Sequence, residues 1–244
     1  MEAAFKGIEN LYGPEGLKRI EQAKFLIIGI GGVGSWIAES LVRSGAQNIS
    51  LVDLDEICLS NLNRQVHSTF ANIGAFKIDE MKKRLLSINP DCHIECIYDF
   101  LSASTADKIL NRSYSYVFDA IDGAKSKCIL LSVCKKLELP VITIGAAGAR
   151  QDPTKIQITD LSKTINDKLL SRVRKKLRRE YNFSKFSKKP MKIPAVFSSE
   201  IPQGDFYSEN NIANCQSGMG SASFVTATFG FYAVGYVLKE VANG

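Results

Sequence analysis

The chain has 244 residues, 45% of them hydrophobic and 23% charged, a composition that suits one compact α/β domain with a full core. Its six cysteines (Cys58, Cys92, Cys96, Cys128, Cys134, Cys215) form no C-x-x-C pair and are joined by only two histidines, which makes a poor zinc cage, so mostly small core residues in a reducing compartment are expected. No opening segment combines basic residues, an apolar run and a small-residue cleavage site, and a cytoplasmic location is expected.

The net charge of +6 is uneven: Lys168 to Lys192 holds eleven Lys or Arg against Glu180 alone, which gives that segment +10 and leaves −4 elsewhere. A basic patch on a slightly acidic body implies a polyanionic partner at one face.

Phe25 to Gly29 reads as a buried parallel strand that ends in Gly29-Ile30-Gly31-Gly32-Val33-Gly34. Val33, Ile37, Leu41 and Val42 then recur at helical spacing, and Gly45 stops that helix. Ile49 to Val52 predicts a second strand ending at Asp53; a helix follows over Lys77 to Ile88, halted by Asn89-Pro90. Further strands are predicted at His93–Ile97, Tyr116–Ala120 and Val141–Ile144, with a helix over Ser126–Lys136. This alternation means a doubly wound, mostly parallel Rossmann-like sheet, with ligands at the carboxyl ends of its strands.

The pattern changes after Ile158, so residues 1–158 are read as the nucleotide-binding core and 159–244 as the C-terminal part of the same domain. There Ile165, Leu169, Val173 and Leu177 form an apolar stripe at four-residue spacing, with cations on the other faces. Asn182 to Asn214 reads as loop. A final helix runs from about Ser221 to Val241; its apolar stretch mixes in Thr, Gly and Ser and reads as a buried or dimer-face helix, with no membrane span expected.

Strand, G-x-G-x-x-G, helix, then Asp53 nineteen residues past Gly34 form a dinucleotide-binding fingerprint. Glycines let the backbone approach phosphate, the helix N-terminus favours negative charge, and the aspartate can bond a ribose hydroxyl. Alone it fits an NAD enzyme as well as an ATP enzyme. The following loop separates them: Asp53, Asp55, Asn61, Asn63, Arg64, Gln65 and then Lys77. Hydride transfer does not need a planar cation and an ammonium beside the phosphates. Adenylation does, because negative charge grows on the α-phosphate as a carboxylate attacks it.

The glycine turn, the L-x-D-x-D strand end, N-x-x-R-Q and the later lysine resemble the E1-like adenylating family of molybdopterin, thiamine and ubiquitin activators. Asp119-Ala120-Ile121-Asp122 resembles that family's D-x-x-D strand end, whose second aspartate serves ATP and magnesium. Nearly end-to-end stretches narrow the resemblance to the tRNA threonylcarbamoyladenosine dehydratases. They include Leu11-Tyr12-Gly13, Gly31 to Trp36, Asn61 to His67, Ser115 to Asp122, Asp152-Pro153, Asp160-Leu161, Val196-Phe197-Ser198, Cys215 to Gly218 and Thr226 to Phe231.

The resemblance implies an E1-like fold that binds ATP through Gly29, Gly31, Gly32, Gly34, Asp53, Asp55, Asn61, Arg64, Gln65, Lys77 and Asp122. Arg64, Lys77 and Asp122 are its catalytic set, and Asp122 holds Mg2+. It also implies a monovalent cation (K+ or Na+), a homodimer, and work beside a sulfur-transfer system built on a cysteine desulfurase. The substrate is tRNA modified in its anticodon loop, at the adenosine of position 37. Its threonine carboxylate is adenylated, and the neighbouring carbamoyl group then closes a ring and expels AMP. Arg172, Arg174, Lys175, Lys176, Arg178 and Arg179 are the expected tRNA contacts.

One position departs from the family: Asn10 stands where an arginine, which in the family reaches a phosphate from the partner subunit, usually precedes Leu-Tyr-Gly; either Arg19 or Lys18 compensates, or catalysis leans harder on Arg64 and Lys77. Cys215 reads as a loop cysteine with a packing role rather than a thioester nucleophile, and His67 and Trp36 read as structural. The alternative function is adenylation of the C-terminus of a small sulfur-carrier or ubiquitin-like protein.

Overall fold

A computed structural model describes residues 4–110, 113–184, 186, 189–202 and 220–244. Cys215 and its Gly218 neighbourhood, Lys185 and Lys188 lie outside these residues.

Seven strands form one sheet: β1 (Lys24–Ile28), β2 (Asn48–Val52), β3 (His93–Ile97), β4 (Tyr116–Asp119), β5 (Val141–Ile144), β6 (Ile156–Asp160) and β7 (Pro194–Ser198). Their order is β3-β2-β1-β4-β5-β7-β6, with every neighbour parallel except β6 against β7. The chain reverses direction across the sheet between β1 and β4, so their carboxyl ends open the crevice where such sheets take ligands.

The central strands are buried on both faces, which is why β1, β4 and β5 read as continuous apolar runs. One face is covered by α1 (Lys6–Gln22), α2 (Gly34–Arg43), α3 (Lys77–Ile88) and α7 (Ser223–Asn243), around Phe25, Ile37, Leu41, Phe118 and Phe229. The other is covered by the short α4 (Ala106–Leu110), α5 (Ala124–Leu137) and α6 (Lys168–Glu180), around Leu26, Val117, Leu130, Val173 and Leu177.

Two strands depart from the sequence reading. Residue 158 falls in the middle of β6, and β7 lies within the segment read as loop. β7 inserts between β5 and β6, so residues on both sides of 158 build one sheet. Pro194 opens β7, the position where a strand tolerates a residue with no N–H. α1 is a third addition; it bends at Gly13-Pro14, where Gly13 takes a φ of +75°.

α6 also sits differently on its stripe. Asp167 is its N-cap and accepts a hydrogen bond from the Leu170 amide, so the helix starts at Lys168 and Ile165 is left exposed. The buried register is Leu170, Val173 and Leu177. Among the described residues, no helix is long and apolar enough to cross a membrane.

Candidate active site

The site begins where β1 ends. The chain turns at Gly29, whose φ is +91°; a Cβ there would stand 2.8 Å from the Ala120 carbonyl oxygen. Gly34 admits no side chain either, since its Cβ would meet the Gly29 oxygen at 1.8 Å. Gly31 faces open space, and α2 starts with no side-chain capping bond. Exposed backbone beside uncapped helical N–H groups is a ready phosphate cradle.

Asp53 follows β2 and fastens this turn. Its Oδ2 accepts from the Ile30 amide at 2.6 Å and its Oδ1 from the Asp55 amide at 2.8 Å. Burial pushes the Asp53 carboxyl up from its ordinary value; the Lys77 charge and the two amide bonds oppose that push. Asp53 therefore fixes the floor of the site, with both oxygens already engaged. Asp55 stands half exposed beyond it, and its Oδ2 accepts from Lys77 Nζ at 2.7 Å. Lys77 is the buried first residue of α3, and its amide donates to the Asp55 carbonyl oxygen at 3.0 Å.

The Arg64 loop closes the side. Asn61 is buried; its Oδ1 accepts from the Cys58 amide, and its carbonyl oxygen accepts from the Arg64 and Gln65 amides. Trp36 Nε1 donates to the Arg64 carbonyl oxygen at 3.0 Å, and the Arg64 stem packs against Gly32, where a Cβ would meet it at 3.2 Å. Arg64 Nη1 donates to the Ser60 carbonyl oxygen at 2.6 Å and to Asn63 Oδ1 at 3.1 Å. These bonds hold the guanidinium against Ser60 and Asn63 while its stem lies on the glycine turn. Behind the loop, Gln65 Oε1, Ser68 Oγ and both His67 ring nitrogens are buried without a hydrogen-bond partner. Burial first, then the Lys77 charge, pulls the His67 pKa down to about 4, so the ring is neutral near pH 7.

β4 supplies the last wall. Asp119 is fully enclosed: Lys127 Nζ lies 3.0 Å from its Oδ2, and Thr143 Oγ1 donates to the same oxygen at 2.6 Å. Lys127 also donates to the Asp119 carbonyl oxygen at 3.0 Å. Three residues on, Asp122 is exposed at the carboxyl end of the strand. One free carboxylate beside a phosphate cradle fits Mg2+, which keeps several waters and takes one or two carboxylates plus phosphate oxygens. Among the described residues, no cluster of three or more His, Cys, Asp or Glu forms a cage that would hold a metal without the nucleotide.

The ThiF family profile matches residues 6–243. A tRNA threonylcarbamoyladenosine dehydratase of Haemophilus influenzae is 47% identical over 98% of this chain and 94% of its own length. The crystal structure of E. coli tRNA N6-threonylcarbamoyladenosine dehydratase in complex with ATP is 39% identical, with a TM-score of 0.90 over 98% of this chain and 94% of that one. The AMP complex of the same enzyme superposes with a TM-score of 0.89.

The chain belongs to the tRNA threonylcarbamoyladenosine dehydratases of the ThiF family. The glycine turn, Asp53, Asp55 and Asp122 follow the carboxyl ends of β1, β2 and β4; Lys77 joins them through Asp55 and Arg64 through Gly32, while Asn61 and Gln65 are buried within the Arg64 loop. The basic residues of α6 divide. Arg172, Lys175 and Arg179 are exposed, whereas Arg174, Lys176 and Arg178 are half buried. Arg174 bonds Thr164 Oγ1, and burial pulls its pKa down. Lys176 pairs with Glu180 at 2.6 Å.

Of the two candidates for the arginine missing at Asn10, Arg19 is engaged at the far end of the sheet from the glycine turn. Its Nη1 donates to the Ala242 carbonyl oxygen at 2.8 Å, capping α7 beside Tyr116 and Pro140 at the amino ends of β4 and β5. The sequence reading also misses the Lys127–Asp119 pair. The one signal for it is a lysine set just ahead of the apolar run Ile129 to Leu131 in α5.

Proposed function

We propose that this chain carries out ATP-dependent dehydration of N6-threonylcarbamoyladenosine at position 37 of tRNA. The observation that carries the reading is the match to these dehydratases over 98% of the chain; it is supported by Arg64 packed on Gly32, Lys77 paired with Asp55 and Asp122 exposed after β4.

The threonine carboxylate attacks the α-phosphate of ATP, forming a mixed anhydride with AMP and releasing pyrophosphate. A carboxylate is a poor electrophile, and AMP makes it a good one. Arg64 grips phosphate oxygens with its planar fork and Lys77 contributes a point charge, so both stabilise the charge that grows in the transition state. Asp122 would hold Mg2+, which neutralises phosphate charge. The neighbouring carbamoyl group then attacks the activated carbonyl, closes a five-membered ring and expels AMP. The balance is loss of one water from the nucleoside. Ring closure is intramolecular, so proximity supplies much of its rate and no enzyme nucleophile is required.

The tRNA face in this reading is the outer side of α6, whose exposed Arg172, Lys175 and Arg179 meet phosphates without reading sequence. A second copy covers the outward face of α7, where Phe224, Phe231 and Tyr232 stay exposed while Val225, Phe229 and Val237 are buried. The same reading carries a monovalent cation (K+ or Na+) as helper, a cysteine-desulfurase sulfur system as neighbour and the cytoplasm as location. The test is pyrophosphate release from ATP by the purified chain: it should require threonylcarbamoylated tRNA, and release that is equal with unmodified tRNA would overturn the assignment.

A further inference from the structure

Arg150 ends the small-residue turn Gly145 to Arg150 that follows β5, at the carboxyl edge of the sheet. Its side chain is only 3% exposed. Nη2 donates to the Asn166 carbonyl oxygen at 2.5 Å, while Nε and Nη1 are buried and have no acceptor among the described residues. Two acids of this corner, Asp167 and Glu200, are committed elsewhere. Asp167 accepts from the Ala146 and Leu170 amides at 2.9 and 2.8 Å, and Glu200 accepts from the Gln151 and Asp152 amides at 3.1 and 3.0 Å. Neither bonds Arg150.

A buried cation whose donors lack acceptors is among the least favourable groups a fold can hold. Departures of this kind gather at functional sites. The neighbours of Arg150 say which function. Asn166 immediately precedes Asp167, the N-cap of the basic helix α6. On the other side, the Ala149 amide donates to the Gly220 carbonyl oxygen at 2.8 Å, and the next residue, Ser221, accepts from Asn63 Nδ2 at 2.8 Å. Asn63 adjoins Arg64. Arg150 thus stands between the start of the exposed cations of α6 and the loop that carries Arg64.

We infer that Arg150 is a positioning residue for the nucleic acid, its Nε and Nη1 groups taking one backbone phosphate as the strand passes from α6 to the adenylation site. The inference rests on the RNA substrate proposed above. A guanidinium suits the role because its fixed fork meets two phosphate oxygens at once. Both nitrogens are enclosed in the present structure, so the side chains over them must part when the phosphate arrives.

The experiment compares the wild type with Arg150→Gln and Arg150→Lys, measuring equilibrium binding of threonylcarbamoylated tRNA across a salt titration. Dehydration kinetics and thermal midpoint are followed in parallel. Arg150→Gln should weaken tRNA binding roughly 10-fold and lower the slope of log affinity against log salt by about 0.7–0.9. KM for tRNA should rise more than kcat falls, and ATP affinity should hold. Arg150→Lys should restore the salt slope but only part of the affinity, because a point charge replaces the fork. The midpoint of Arg150→Gln should stay level or rise, since an unpaired buried charge has gone. A lowered midpoint with an unchanged salt slope would make Arg150 a structural residue and overturn the inference. So would an equal loss of turnover on the free modified nucleoside, which has no phosphate and would move Arg150 to the substrate carboxylate. The binding arm does not depend on turnover, so a wild type that binds tRNA in an Arg150-dependent way yet removes no water would sink the dehydratase reading alone.

Discussion

The Lys77 ammonium lies 2.7 Å from Asp55 Oδ2, with the lysine buried at the first position of α3 and the aspartate half exposed at the rim of the site. In the function proposed above, the pair holds a positive charge on the side of the glycine turn where phosphate would lie. It needs no rearrangement when the transition state forms, which is the condition under which a charge is most effective. Lys77→Ala and Arg64→Ala should each slow adenylation by ~10²–10³ while leaving the fold intact. Pre-steady-state AMP formation on folded variants checks this. Near wild-type rates in either would remove that residue from the chemistry.

Lys127 and Asp119 have a different role, because both side chains are fully buried and neither faces the cleft. Together with Thr143 they lock the end of β4 from which the Asp122 loop departs. Removing one partner leaves an uncompensated buried charge, so Lys127→Met should destabilise the protein by about 3–5 kcal/mol. The double variant Lys127→Met/Asp119→Leu should recover much of that loss. Urea unfolding of the set checks it, and a single variant as stable as the wild type would contradict it.

His67 predicts an acid limb to stability. Its pKa is about 4 in the folded protein against 6.5 as the ordinary value, because burial and the charges of Lys77 and Arg84 outweigh the pull of Glu80. Between those values the unfolded chain binds the proton and the folded chain does not. Stability therefore rises with pH through this window and falls on acidification. The His67 share of the loss from pH 8 to pH 5 should be about 2 kcal/mol. Comparing wild type with His67→Asn at both pH values isolates it; identical pH dependence in the two would show that the ring is not what titrates.

β1, β2, β4 and β5 were legible because burial writes them as apolar runs closed by turns, and the edge strand β3, with exposed His93 and half-buried Glu95, because Asn89-Pro90 ends the helix before it. The architecture of the loop was legible because Asp53, Asn61 and Arg64 stand at fixed spacing and each bonds backbone that shapes the turn. β6 and β7 were not. β6 carries an exposed Gln157 and half-buried Ile158, Thr159 and Asp160, and β7 opens at a proline next to a basic stretch, so neither shows a strand's pattern in isolation. The stripe of α6 was displaced because Ile165 has the helical spacing but lies ahead of the Asp167 cap. Lys127 and Arg150 carry charges that normally point to water. Only the three-dimensional neighbourhood reveals that one is paired in the core and that the other is enclosed with Nη2 bonded to Asn166 and two nitrogens without an acceptor among the described residues.

The exposed side of α6 should carry the sequence-independent part of RNA affinity. Arg172, Lys175 and Arg179 are the cations to change, because replacing Arg174 would also strip Thr164 of its bond. The triple serine variant should weaken tRNA binding and lower the salt slope by up to about 0.7–0.9 for each phosphate that no longer meets a cation. ATP affinity should not move, since these side chains lie outside the nucleotide cradle. Normal tRNA binding across the salt range would put the RNA face elsewhere on the molecule.

The central claim is that one site adenylates a carboxylate on tRNA and lets the substrate close its own ring. It is tested most directly by incubating the purified chain with ATP and threonylcarbamoylated tRNA, digesting the RNA and weighing the modified nucleoside. The account predicts loss of one water from that nucleoside, with one AMP and one pyrophosphate formed for each ring closed. An unchanged nucleoside mass, with ATP instead consumed to adenylate the C-terminus of a small carrier protein, would contradict it.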